Sequence, residues 1–141
     1  MRKSRLGLTA KQLNEILCNG LPRAAELQLK VEQANQGTCK LRLPYSEQSL
    51  RPGGTISGPT MMGLADAAMW ISVMSQLGDV QLAVTTQFNI NFLRKPPPTD
   101  LLAHGQVLKL GRRLAILEVS IYSEQDETLI LAHATGTYSI P

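Results

Sequence analysis

One carboxylate stands inside the most apolar stretch of the chain. Between Pro52 and Gly78 the only charged residue is Asp66. Burying a carboxylate without a partner is costly and raises its pKa, so such a group is either satisfied by neighbouring donors or kept for work. In a cleft it can act as a general base, a nucleophile or a ligand contact. Just upstream, Gly53-Gly54-Thr55-Ile56-Ser57-Gly58-Pro59 forms a glycine-rich turn leading into a helix. A helix N-terminus presents unpaired amides and the positive end of the macrodipole. The turn lacks the glycine spacing of a nucleotide-phosphate loop; its plainer reading is a tight loop and cap. His104 and His133 fall in strand patterns with no nucleophile or metal partner nearby in sequence. Cys18 and Cys39 lack the spacing of a metal site or disulfide framework.

The elements that must position these groups can be read in order. Thr9 and Gln12 have capping-box spacing, Leu8 and Leu13 staple spacing, and Leu13, Ile16 and Leu17 share a face, which predicts a short helix over 9–19. Asn19-Gly20 should end it, and Pro22 should prevent a restart. From Glu26 the period becomes two, with Leu27, Leu29 and Val31 alternating, and Cys39, Leu41 and Leu43 alternate after the turn Asn35-Gln36-Gly37; a hairpin is expected. Pro59 suits a first helical position with Gly58 as N-cap, and Gly78 suits the C-terminal cap. Met61 to Leu77 is apolar nearly all round, the pattern of a buried helix. Residues 82–93 read as a strand with Val84, Thr86, Phe88, Ile90 and Phe92 on one face and Thr85, Gln87, Asn89 and Asn91 on the other. Further strands are expected over 100–110, 114–123 and 128–140.

These 141 residues suit a single domain, 1–141, with no linker or repeat. A hydrophobic fraction of 43%, a charged fraction of 18% and a net charge of +3 describe a globular chain with a large core. Aromatic residues are scarce and do not interleave with the basic ones, which argues against a nucleic-acid surface. Residues 59–77 have membrane-spanning length, but Thr60, Gly63, Asp66, Ser72, Ser75 and Gln76 interrupt them, so no membrane span is expected. The N-terminal run MRKSRLGLTAKQL is basic without the apolar centre of a secretory signal, and the thiols suit a reducing compartment; a cytoplasmic protein is expected.

Helix, hairpin, long buried helix and strand meander together resemble the hotdog fold: α+β, a curved antiparallel sheet of five or six strands wrapped around one long helix, plus a short N-terminal helix. The turn at 53–59 with Asp66 nine residues after Ser57 resembles the turn and helix of phenylacetate-type acyl-CoA thioesterases. Thr85 to Arg94 is similar to that family's third strand, and Gly111-Arg112-Arg113-Leu114-Ala115 to a later turn. The resemblance implies hydrolysis of an acyl-CoA thioester at a site built from both subunits of a homodimer or homotetramer. Coenzyme A enters as part of the substrate, and no other cofactor or metal is implied. It implies that the Gly58 amide polarises the carbonyl, that Asp66 is general base or nucleophile, and that Thr85 places the water or the carboxylate. Substrate contacts are also expected at Arg51, Gly54, Met62, Asn89, Arg94, Lys95, Arg112 and Arg113; the last four could meet the phosphates of coenzyme A. For those four a solvated basic surface is the competing reading, and for Thr85 an ordinary β-branched strand residue. Met62, with Met61, Met69, Met74 and Trp70, reads first as core and second as the lining of an acyl pocket.

The turn departs from the family pattern twice. Ser57 stands where the family has a histidine, and Pro59 where it has a second glycine. Ser57 is kept among the catalytic candidates as the replacement. The departures motivate a second reading, a non-catalytic acyl-CoA or small-ligand binding protein on the same scaffold. A hotdog hydratase or dehydratase ranks behind both, because it needs a histidine paired with a carboxylate and neither histidine lies near the turn.

Overall fold

The structure is a computed structural model describing residues 7–141; the basic residues at positions 1–6, on which the reading of the N-terminal run depends, lie outside the described part. Helix α1 spans Ala10–Gly20. Its capping box is formed as expected: the Thr9 hydroxyl accepts from the Gln12 amide at 3.2 Å, and the Gln12 side chain accepts from the Thr9 amide at 2.9 Å. Leu13 and Leu17 are buried. Pro22 does the opposite of what the sequence suggests. It opens a second helix, α2, Pro22–Leu27, because a proline at the start of a helix gives up only an amide that would be orphaned anyway. Strand β1 is therefore Lys30–Asn35 and does not begin at Glu26. Leu27 is buried as a helical residue, and Gln28, left-handed at φ 57°, ends α2. Asn14 then clips α1 to β1, donating to the Val31 carbonyl at 2.9 Å and accepting from its amide at 2.7 Å.

β1 pairs with β2, Thr38–Leu43, through a turn in which Gln36 and Gly37 both have positive φ. Two-residue strands β3 (Leu50–Arg51) and β4 (Thr55–Ile56) pair with each other around the glycine turn. Helix α3 follows, Gly58–Leu77. Then come β5 (Val84–Phe92), β6 (Leu101–Leu110), β7 (Leu114–Ser123) and β8 (Ala132–Ser139). The last strand starts at residue 132 because residues 126–131 remain in the turn. The main sheet is antiparallel in the order β1-β2-β6-β7-β8-β5. One cross-strand row, Cys39, Gly105, Val119, Ala134 and Ile90, shows which face looks inward. α3 packs against all six of these strands, so the sheet wraps the helix as the resemblance implies.

Small residues set how close α3 lies. A Cβ at Gly105 would stand 2.5 Å from Ser72 Oγ and 3.1 Å from the Ala68 carbonyl. At the same point the Cys39 thiol donates to the Ala68 carbonyl at 3.3 Å and accepts from Ser72 Oγ at 3.2 Å, and burial pushes that thiol up to about 11. Gly105→Ala should cost about 1–3 kcal/mol by overpacking this contact, read as a lower urea midpoint with an unchanged slope.

β5 is an edge strand and is mostly exposed. Its pairing with β8 slips between Thr85 and Gln87: Thr85 faces Tyr138, Gln87 faces Thr137, and Thr86 has no partner residue. This β-bulge corrects the expected faces. Thr85 does not share a face with Asn89. It lies over α3 with Phe88, Ile90 and Phe92, while Gln87, Asn89 and Asn91 point outward. After β5, Asp100 anchors the proline-rich connection by accepting from the Tyr45 amide at 2.7 Å and from Arg42 at 2.8 Å. Arg42 also pairs with Glu32 and Glu124, which ties β1, β2 and the end of β7 to the same connection.

Candidate active site

Asp66 is half-buried and has partners from two strands. Thr85 Oγ1 donates to its Oδ1 at 2.8 Å, and Tyr138 Oη donates to the same oxygen at 2.6 Å. The Tyr138 hydroxyl also lies 3.0 Å from the Asp66 main-chain carbonyl. The bulge aims Thr85 at the helix, and the inward phase of β8 aims Tyr138. With Oδ1 taken twice, Oδ2 carries no hydrogen bond among the described residues. Asp66, Thr85 and Tyr138 line a cavity of about 590 Å³. The two hydroxyls are neighbouring donors of the kind a carboxylate there requires, while the expectation of a helix buried all round is corrected: α3 is open along one face, where Pro59, Met62 and Gly63 are exposed.

Tyr138 is the residue that sequence reasoning missed as a functional group. Its signal was present: a phenol on the buried face of a strand needs a hydrogen-bond partner. Burial, then the charge of Asp66, holds the phenol well above its ordinary 10.0. The native state therefore keeps this proton where the unfolded chain gives it up. The stability it contributes is complete below about pH 10 and is lost as pH climbs beyond that value. Tyr138→Phe should lower stability by about 1 kcal/mol at neutral pH and flatten the alkaline loss, measured by urea melts across the alkaline range.

The second arrangement is the N-terminus of α3. Ser57, not Gly58, is the N-cap, because its hydroxyl can accept from the Thr60 amide, at 3.2 Å, and glycine has no such group. The Ser57 hydroxyl is also bonded to Thr60 Oγ1 at 2.8 Å, which commits it to the cap. The Met61 amide goes to the Ser57 carbonyl at 3.1 Å, and Pro59 has no amide hydrogen. That leaves the Gly58 N–H as the first-turn donor with no partner among the described residues. Gly58 lines a second cavity, of about 700 Å³, together with Arg51, Phe92, Arg94 and Lys95. The Phe92 ring would meet a Gly58 Cβ at 3.4 Å.

The other candidates are dispersed. Gly54 is exposed in the turn at φ 78°, Met62 is exposed on the open face of α3, and Asn89 faces outward from β5; none of them lines either cavity. Arg112 and Arg113 lie on the turn between β6 and β7, beside Lys109, Leu114 and Ile116. Arg94 donates to the Ile130 carbonyl at 2.7 Å. His104 and His133 are on the outer face of the sheet, paired with Glu127 at 3.0 Å and Glu118 at 2.8 Å, away from Asp66. No helix among the described residues is long and apolar enough to cross a membrane.

Comparison with known proteins agrees with this fold. Residues 53–130, which hold the turn, α3, β5, β6 and β7, match the model of the thioesterase superfamily. The structure of a candidate thioesterase from Silicibacter sp. TM1040 is similar with a TM-score of 0.85 and 36% identity, covering 98% of this chain and 95% of that one. A candidate esterase of Halobacterium salinarum is 31% identical over 71% of this chain and 69% of its own length. The PaaI protein from the phenylacetic acid degradation operon of Escherichia coli shares the fold, with a TM-score of 0.82 and 21% identity over 94% of this chain and 93% of that one. By family match, identity and architecture, the chain is a hotdog-fold protein and belongs to the thioesterase superfamily.

Proposed function

We propose that the protein hydrolyses an acyl-CoA thioester, with Asp66 as general base and the Gly58 amide as the donor to the carbonyl oxygen. The observation that carries this reading is the division of labour at the two cavities. One holds a carboxylate with a free oxygen; the other is lined by a helix N-terminus, whose Gly58 amide has no partner among the described residues, and by three basic residues. Asp66 Oδ2 takes a proton from water, and the water oxygen attacks the thioester carbonyl while the Gly58 N–H stabilises the developing oxyanion. Collapse breaks the C–S bond, and the proton on Asp66 goes to the departing thiolate. The Thr85 hydroxyl, which donates to Oδ1, keeps lone pairs with which to hold that water.

Gly58 and Asp66 are eight residues apart on one helix, roughly 12 Å along its axis. They cannot serve one carbonyl from the same chain, and two copies resolve this. Phe92, beside Gly58, closes β5, and Thr85, beside Asp66, is its second residue. Antiparallel pairing of two β5 edges brings the start of one strand to the end of the other, and so the Asp66 cavity of one subunit to the Gly58 cavity of its partner. The exposure of Val84 (57%) and Phe92 (49%) on this edge supports a covered surface in the homodimer. Arg51, Arg94 and Lys95 at the lip of the Gly58 cavity then suit the phosphates of coenzyme A.

A thiol-release assay on a panel of short, medium, long and aromatic acyl-CoA esters tests the function. Turnover by the wild type, lost in Asp66→Asn, is the expected result. Saturable binding with no thiol release across the panel would replace hydrolysis with the ligand-binding reading. Single turnover in labelled water separates the two roles of Asp66: label appearing in its carboxylate marks an anhydride intermediate and a nucleophile.

A further inference from the structure

The cavity beside Asp66 has two unlike ends. Asp66, Thr85 and Tyr138 stand at one; the remainder of the wall is largely apolar, with Leu27, Leu29 and Trp70 its main surfaces. Along α3 the track from the carboxylate toward the helix C-terminus passes small Ala67 and stops at Trp70, one turn or about 6 Å beyond Asp66. The indole is fixed there. It is 7% exposed, and its Nε1–H donates to the Gln81 carbonyl at 3.3 Å. The opposite wall comes from α2 and the residues that follow it, so the helix that Pro22 starts is what encloses the space. A volume of about 590 Å³ is far more than an acetyl group needs, and it falls in the range of small-molecule sites. The charges at the rim do not invite a second carboxylate. Arg23 is paired with Glu26 at 3.3 Å, and Asp66 repels a like charge.

The geometry points to this cavity as the acyl chamber, taking an uncharged apolar acyl group, with Trp70 as the residue that limits acyl length. This inference rests on the acyl-CoA thioesterase reading. The thioester carbonyl sits at Asp66, and the acyl chain runs along α3 over Ala67 to the indole. An acetyl group leaves the apolar wall uncovered, and a chain long enough to reach the indole meets it where the α3 side of the lining ends.

The test is the ranking of kcat/KM across straight-chain esters from acetyl-CoA to palmitoyl-CoA, with succinyl-CoA compared against butyryl-CoA. The wild type is expected to peak at a medium chain and to prefer butyryl-CoA over succinyl-CoA by about tenfold or more. Trp70→Phe opens the far end and moves the peak to longer chains. Leu29→Trp narrows the half-buried opposite wall and moves it to shorter ones, with about a tenfold loss on the longest good wild-type substrate. Thermal melts confirm that each variant is folded, and because the two substitutions act in opposite directions, one of them suffices if the other fails to fold. An unmoved peak in folded, active variants overturns the assignment of the chamber, as does equal use of succinyl-CoA. Absence of turnover by the wild type on any ester overturns the thioesterase reading itself, and this inference with it.

Discussion

Asp66→Asn should lower kcat by about a thousandfold, equivalent to about 4 kcal/mol of transition-state stabilisation, while the protein stays folded. The substitution keeps an amide oxygen where Oδ1 now accepts from Thr85 and Tyr138, so both hydroxyls retain their acceptor. It replaces the free Oδ2 with an amide nitrogen, which can neither take a proton nor attack a carbonyl. Asp66→Ala tests the same point more coarsely. There Tyr138 keeps the Asp66 main-chain carbonyl as acceptor, and Thr85 loses its partner. Stopped-assay kinetics with urea melts on the same preparations separate chemistry from folding. Activity in Asp66→Asn within tenfold of wild type would remove the carboxylate from the mechanism.

Gly58→Pro should cost about a hundredfold to a thousandfold in kcat, the range for removing one oxyanion donor. Proline deletes the one amide hydrogen in question and is tolerated at the first position of a helix. The residue before it must be extended, and Ser57 already is, at φ −70° and ψ 151°. A Cβ at this position meets the Phe92 ring at 3.4 Å, an ordinary contact distance. A mixing experiment then tests the two-chain site. In a hybrid of one Asp66→Asn subunit and one Gly58→Pro subunit, one site carries both lesions and the other carries neither. Random exchange of the two inactive homodimers should therefore restore about a quarter of wild-type activity. No recovery after demonstrated subunit exchange would show that both groups act within one chain.

What the sequence disclosed depended on how far each determinant reaches. The Thr9–Gln12 cap and the Gly78 end of α3 are local, decided within a few residues, and both were legible. So was the inward face of β7, where Ala115, Leu117, Val119 and Ile121 are all buried. Pro22 was ambiguous, because a proline ends one helix and begins another with equal ease; the packing of Ala24 and Leu27 decided it. Ser57 looked like a lost histidine and proved to be a cap, which its hydroxyl and its spacing to Thr60 allow in retrospect. At the site, Asp66 stood out by being alone, but its partners did not. Tyr138 lies 72 residues away, and the facing of Thr85 is set by pairing with β8, which no alternation pattern within β5 reveals.

The slip at Thr86 also bears on which changes of length this strand can absorb. Thr86 is one residue in excess of what β8 requires, its hydroxyl resting on the Thr137 carbonyl at 3.2 Å. Deleting Thr86 leaves every paired residue of β5 opposite its present neighbour, with Thr85 still at Asp66 and Phe92 still at Gly58. Inserting a residue between Phe88 and Phe92 instead inverts one end of the strand against the other, exposing either the partner of the carboxylate or the ring beside the helix terminus. The site is therefore guarded more strictly against a change of parity in β5 than against most changes of residue.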